Sequence, residues 1–335
     1  KLGEYMNDKL VSVIIPCYNG ENFIDRCAMS IYVQEYSRIE IIFVNDGSTD
    51  NSKQIIYKWK DKFFEKNYSL ICVSQENRGL GGAINTGLKY VSGDYIILLD
   101  VDDELLSGAI SDKVKYLEMH KDEDVVRANG WYIRHNGKSL FIYDQEEKEI
   151  QDMFSALLEA KTNNWAGSYM VRKSALFSFY PDRQIYESKY GQNLQMLLPL
   201  VYKKKCGYID KPQMNYNLQE DSLSKTSNDS EKQKKSLENA KGYKDIRLYL
   251  TNLIVPDKEK RHYLDMIEIA YIRNIMRIAA EMKDKSLMRE TYRDLKKLIE
   301  PTLDDRIKYG HLIIPMCVPG LRLFRKIKNI CTKNK

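Results

Sequence analysis

The chain lacks the spaced residues that build metal cages and disulfide frameworks. Its six cysteines, at positions 17, 27, 72, 206, 317 and 331, are scattered and form no C-x-x-C pair. Its four histidines are equally dispersed, with no H-E-x-x-H. A structural zinc site or a disulfide-stapled fold is therefore not expected, and a reducing cytoplasm suits the chain. No apolar stretch is long enough to span a bilayer. The opening residues, KLGEYMNDKL, are polar and carry acids, so no signal peptide is expected there and Met6 is the expected natural start. Charge of one sign is not in large excess either. The formal net charge is +6 over 335 residues, gathered toward the C-terminus, so a nucleic-acid partner is not expected.

What is present is material for a sizeable core. Hydrophobic residues make up 43% and charged residues 30%, which fits a globular protein of two or three domains. Strand and helix signals alternate through the first hundred residues. LVSVIIP is a β-branched strand that Pro16 should stop, and IEIIFVND, YSLICVSQ and DYIILLD are three more strands. Between them ENFIDRCAMSIYVQ, STDNSKQIIYKWKDKFF and GLGGAINTGLKYV read as helices. The second of these carries Ser, Thr and Asp at its start as caps. Three successive β-α units predict an α/β fold with a mainly parallel sheet and helices on both faces. Residues 106–222 mix short strand signals with helices and aromatic loops. A Lys- and Ser-rich stretch, SLSKTSNDSEKQKKS, reads as a linker, and the chain beyond it reads as helical. In RHYLDMIEIAYIRNIMRIAAEM the residues Leu264, Ile267, Tyr271, Ile275, Ile278 and Met282 recur at three- and four-residue steps.

In parallel sheets of this kind ligands bind outside the carboxyl ends of the strands. Four polar clusters fall at such ends here: PCYNG, NDGSTD, QENRG and DVDDE. The last places Asp100, Asp102 and Asp103 straight after a buried apolar run. Acids this close repel one another unless a positive charge joins them. A divalent ion, Mn2+ or Mg2+, is the natural partner, because such ions take one or two carboxylates together with substrate phosphates. An EF-hand fits poorly, since Leu105 stands where its loop needs glycine. A dinucleotide fingerprint also fails, because Ile84 occupies the third glycine position counted from Gly79 and Gly81. A solvated acidic turn is the plain alternative.

VSVIIPCYN, IIFVNDGSTDNS, QENRGLGGAINTGL and YIILLDVDDEL, in this order and spacing, resemble the inverting nucleotide-sugar glycosyltransferases of family 2, which have the GT-A fold. The likeness is strong over residues 10–105. It continues through NNWAGSYMVRKSAL and YGQNLQMLLPLVYKKKCGYIDKP, which are similar to the acceptor half of bacterial capsule and exopolysaccharide enzymes. The resemblance implies a nucleotide-sugar half over 1–105, an acceptor half over 106–222 and a helical extension over 223–335. It implies that Tyr18 stacks on the nucleobase above Pro16 and Asn19, and that Asp46 accepts a base N–H, which favours uracil. Asn77 and Gly79 would admit the nucleotide to the backbone. Asp100 would face the ribose and Asp102 the metal, with Asp103 a further ligand or a turn cap. Trp165 would stack on an acceptor sugar or be an ordinary buried tryptophan.

The implied reaction is metal-dependent transfer from a nucleotide sugar, with UDP favoured, to a glycan or polyprenyl-linked acceptor in surface polysaccharide synthesis. The alternative is a nucleotide-sugar-binding partner subunit that has lost catalysis. One departure keeps that alternative open. Where relatives carry a Glu-Asp pair, this chain has Gln192 and Asn193, and neither amide can serve as a base. Glu187 is the preferred base, Asp221 the second candidate, and Asn193 would orient a substrate. The tail from Arg306 onward has eight Lys or Arg residues and no acid, beside apolar residues broken by Pro315 and Pro319. That composition suits peripheral attachment to the inner, anionic face of a cell membrane. Packing on the chain's own domain is the other reading.

Overall fold

The computed structural model describes residues 9–218 and 229–313. The chain divides into two compact units, Lys1–Ser222 and Leu223–Lys335. In the first unit the opening elements run β1 (Val11–Cys17), α1 (Ile24–Tyr32), β2 (Ile39–Asp46), α2 (Ser52–Glu65), β3 (Ser69–Gln75), α3 (Gly79–Tyr90) and β4 (Tyr95–Leu98). Every residue of β2 and of β4 is buried, as continuous β-branched and apolar runs require when a sheet is covered on both faces. The strands lie in the order β3-β2-β1-β4, all parallel, with Val13 opposite both Ile41 and Ile97.

Pro16 does not stop β1. Pairing with β4 ends at Ile14↔Leu98, while pairing with β2 continues through Pro16↔Val44 to Cys17↔Asn45. The proline therefore lies where one side of the strand is already free, the edge-like setting in which prolines are tolerated.

The rest of the first unit turns the sheet mixed. It adds β5 (Glu104–Leu105), α4 (Ala109–Met119), β6 (Val125–Arg134), β7 (Gly137–Leu140), α5 (Gln145–Lys148), α6 (Met153–Leu158), β8 (Tyr169–Arg172), α7 (Lys173–Phe179), α8 (Gln192–Val201) and β9 (Gly207–Asn217). Beyond β4 the order is β8-β6-β9-β5; β8 is antiparallel to β4 and β6, and β5 to β9. The acids at 100–103 thus bridge the end of β4 to β5, which is pinned to the end of β9 by Glu104↔Asn215.

Lys113 of α4 is fully buried and donates to the Ala109 carbonyl at 3.3 Å. Burial pushes its ammonium down to about 7, against partial opposition from Asp112. A lysine lowered in the folded state penalises folding fully below about pH 7, and the penalty is relieved as pH rises from about 7 to about 10, where the unfolded chain alone is protonated. We predict that Lys113→Met raises the melting temperature at pH 7 by several degrees, reflecting a relief on the order of a few kcal/mol. The gain should shrink at pH 10. Equal gains at both pH values would refute the charge explanation.

The second unit is helical: α9 (Asp229–Ile254), α10 (Asp257–Glu281), α11 (Lys285–Leu298) and α12 (Leu303–Ile313). Ile267, Ile275 and Ile278 of the apolar stripe are buried, while Leu264, Tyr271 and Met282 are half-buried. Part of the stretch read as a linker is helix, since α9 begins at Asp229 and takes in SEKQKKS. Glu, Lys and Gln are good helix formers, so polarity there marks exposure and not loss of structure. Asp305 is buried and receives Arg273 in two bonds, at 3.0 and 2.9 Å.

Candidate active site

The turn after β1 and the turn after β2 are stitched together. Ser48 Oγ accepts from Asn19 N at 3.0 Å, Ser52 Oγ from Gly20 N at 2.8 Å, and Asp50 from Glu21 N at 3.1 Å. Thr49 N donates to Asn19 Oδ1 at 2.9 Å. Ser48 and Thr49 thus brace the neighbouring turn, while Asp50 serves both that turn and the start of α2, its Oδ1 accepting from Ser52 N at 2.9 Å. Asn19 takes a left-handed φ of 49°, and Tyr18 is left 53% exposed on top of the turn. Pro16 lies half-buried in β1 below it.

Asp46 ends β2 and is buried. Its Oδ1 accepts from Gln75 Nε2 at 2.6 Å and from Arg78 N at 2.9 Å, so it fixes the turn after β3. Gly47 has a φ of +73°, and a Cβ there would stand 2.8 Å from Asn77 N. Glycine is needed both for the left-handed backbone and for that close approach. Asn77 Oδ1 accepts from Gly79 N at 3.0 Å, and Gly79 (φ +71°) opens α3 with an exposed backbone.

The acids complete the edge. Asp103 N donates to Asp100 O at 3.0 Å, closing a tight turn. Asp103 is buried, accepts from Asn217 N at 2.9 Å through Oδ1, and has no hydrogen-bond partner on Oδ2. Asp100 and Asp102 are half-buried. Burial, then the charge of Asp102, pushes Asp100 up to about 7. Burial, then the charge of Asp100, pushes Asp103 up to about 9. Asp102 is raised by burial and held back by Arg26, whose Nη2 donates to the Asp102 carbonyl at 2.6 Å and whose Nε lies 3.6 Å from Glu104. Asn217 also donates to the Asp102 carbonyl at 2.9 Å. Among the described residues no three His, Cys, Asp or Glu side chains converge to cage a metal. The acids do fit an ion that draws its remaining ligands from phosphates.

An aromatic wall adjoins them. Trp165 Nε1 donates to Tyr132 Oη at 2.9 Å, and its ring lies 4.8 Å from Tyr216. Tyr216 lies between Asn215, paired with Glu104, and Asn217, bonded to Asp103, and burial followed by the three acids raises it above the usual phenol range. Asn193, at the head of α8, accepts from Tyr169 Oη at 2.6 Å, and burial, then the charge of Asp100, raises Tyr169 well above the usual phenol range. Asn193 is therefore held by the protein rather than open on all sides. Glu187 lies at the head of α3, paired with Arg78. Asp221 lies outside the described residues. Arg26, Tyr132, Tyr169, Tyr216 and Asn217 carry no local sequence signal, because their partners are distant in the chain, Asn217 and Asp103 being 114 residues apart; Arg78 falls inside QENRG, but its partner Glu187 is 109 residues away.

With this geometry in place, the sequence model of glycosyl transferase family 2 matches residues 12–186, more than half of the chain. The chain belongs to glycosyl transferase family 2. It is 28% identical over 232 residues to the glycosyltransferase GlyA of Streptococcus pneumoniae, covering 65% of this chain and 32% of GlyA. It is 29% identical over 222 residues to the minor teichoic acid biosynthesis protein GgaB of Bacillus subtilis, covering 64% of this chain and 23% of GgaB. The chain thus spans a third or less of either relative. Among solved structures, S. aureus TarS 1–349 in complex with UDP-GlcNAc matches with a TM-score of 0.57 at 17% identity, over 91% of this chain and 90% of that one. The family and the TarS likeness agree on the GT-A fold that the strand-end motifs predicted.

Proposed function

We propose that the chain transfers a sugar from a nucleotide sugar to a hydroxyl of a glycan or lipid-linked saccharide in bacterial surface polysaccharide synthesis, with inversion at the anomeric carbon. The observation that carries this reading is the crowding of Asp100, Asp102 and Asp103, with the buried Asp103 Oδ2 left without a hydrogen-bond partner, beside a strand edge otherwise built from polar turns. Neighbouring strands lie roughly 4.8 Å apart, so the ends of β3 and β4 are about 14 Å apart, a span suited to an elongated ligand. Tyr18 stacks on the base, Asp46 accepts its N–H, Asn77 and Gly79 border it, and Asp100 faces the ribose. Asp102 would hold Mn2+ or Mg2+, which when bound neutralises charge on the diphosphate. The relation to GgaB supports the polysaccharide setting, and the TarS complex makes UDP sugars the first donors to test.

The acceptor stands on Trp165, with Asn193 at the side. Its O–H bond breaks as its oxygen bonds to the anomeric carbon. The proton goes to Glu187, and the electron pair of the cleaved C–O bond leaves with the diphosphate. A thermal-shift panel of UDP sugars with Mn2+ tests the donor class. Stabilisation by one or more UDP sugars supports the reading, and none by any member of the panel argues against it.

Among the described residues no helix is long and apolar enough to cross a membrane. Residues 314–335, which hold most of the basic tail, lie outside the described residues. We propose that they attach the protein to an anionic membrane surface. The informative cut is after Ile313 and not near Asp305, because Asp305 anchors Arg273 within the helical unit. The truncated chain is expected to lose binding to phosphatidylglycerol vesicles at low salt while keeping UDP release. If the full chain ignores such vesicles at low salt, the attachment role is wrong.

A further inference from the structure

The segment that carries Glu187 is held in an unusual way. Three buried amides from two helices grip its backbone. Asn85 of α3 accepts from Ile185 N at 2.8 Å and donates to Ile185 O at 2.9 Å. Gln195 of α8 accepts from Tyr186 N at 2.8 Å and donates to Tyr186 O at 3.0 Å. Gln192 donates to Ser188 O at 2.7 Å. All three side chains are buried, Gln195 completely. Two of them satisfy both polar groups of one residue, as a neighbouring strand would.

The grip brackets Glu187. Its neighbours at 185, 186 and 188 are fixed, while its own side chain stays exposed and meets Arg78, with Asn85 Nδ2 3.4 Å from the same carboxylate oxygen. The loop also lies directly on the first turn of α3. A Cβ on Gly81 would stand 3.2 Å from Ser188 O and 3.3 Å from the Glu187 Cα. On the other side, Gln192 opens α8 beside Asn193, which accepts from Tyr169 Oη at 2.6 Å. The loop is therefore tied at one end to the turn that Asp46 organises, through Arg78, and at the other to the head of α8.

The amides satisfy backbone N–H and C=O groups of Ile185 and Tyr186 that apolar residues would leave unpaired, and they do so from two helices at once. A fully satisfied buried network does fix geometry. We propose that Asn85, Gln192 and Gln195 are positioning residues for sugar transfer, holding the 185–188 backbone so that the Glu187 carboxylate stands where the acceptor's proton must go. This also assigns a task to Gln192, one of the two amides found where relatives carry acids. The proposal rests on the reading of Glu187 as proton acceptor.

The test uses the full chain and UDP release from the donor that the panel selects. Gln195→Met is expected to lower kcat about a hundredfold and Gln192→Met, which loses a single bond, about tenfold, with donor KM within about twofold. In a Glu187→Gln background, Gln195→Met should lower kcat by no more than about twofold further, because the group it positions is gone. The same fold loss in both backgrounds, or a change in KM instead of kcat, overturns the proposal and leaves the role of Glu187 intact. Full turnover by Glu187→Gln alone overturns both. Should Gln195→Met fail to fold, Gln192→Met in the two backgrounds decides by the same comparison.

Discussion

Replacing Asp102 with alanine is expected to abolish Mn2+-dependent binding of UDP and to remove detectable UDP release, while the protein melts at the same temperature or slightly higher. The two halves of this expectation have one cause. Asp102 is half-buried between Asp100 and Asp103, whose carboxyls are raised first by burial and then by the like charges around them, Asp102 among these. Removing one charge relieves that repulsion, so folding is spared or helped. The same removal takes away the carboxylate that would hold the metal against the diphosphate, an interaction worth several kcal/mol in the transition state. The backbone of the turn should survive, because Arg26 and Asn217 bind the carbonyl of residue 102 and not its side chain. Calorimetric titration of UDP with and without Mn2+ reads the first half, and a melting curve reads the second. Unchanged affinity and turnover in Mn2+ would remove Asp102 from the site.

Glu187→Gln is the second large effect. Loss of a general base alone costs roughly a hundred- to ten-thousandfold, so transfer should fall by that factor with UDP affinity nearly unchanged. The amide keeps the shape and can still bond to Arg78 and Asn85, so the fold and the loop are expected to persist. Asp221→Asn is the matched control and should transfer sugar normally. The reverse pattern, a normal Glu187→Gln and a dead Asp221→Asn, would move the proton acceptor to Asp221.

Much of the N-terminal half was legible because its strands are uninterrupted β-branched runs. The limits read for IEIIFVND are those of β2, and all four strand-end clusters do lie on one edge. Errors arose where a local signal was used for a tertiary purpose. Ser48 and Thr49 look like helix caps but brace the β1 turn, Asp50 does both by accepting from Ser52 N and Glu21 N, and Pro16 looks like a stop but lies where β1 has lost one neighbour. The second half of the sheet was less legible. Strand β8 has four residues, and β6 and β9 pair with register shifts near Asn129, so alternation is short and broken. The partners that define the site, Asn217 for Asp103, Tyr169 for Asn193 and Arg78 for Glu187, join segments far apart in sequence. No spacing rule reaches across such distances.

The central claim is that the crowded acids await a cation that arrives with a nucleotide sugar. Rates of UDP release from the selected UDP sugar, measured in EDTA and again after Mn2+ is restored, test it most directly. The account predicts almost no release in EDTA, recovery with Mn2+ in the wild-type chain, and no recovery in Asp102→Ala. Equal rates in EDTA and in Mn2+ would contradict it.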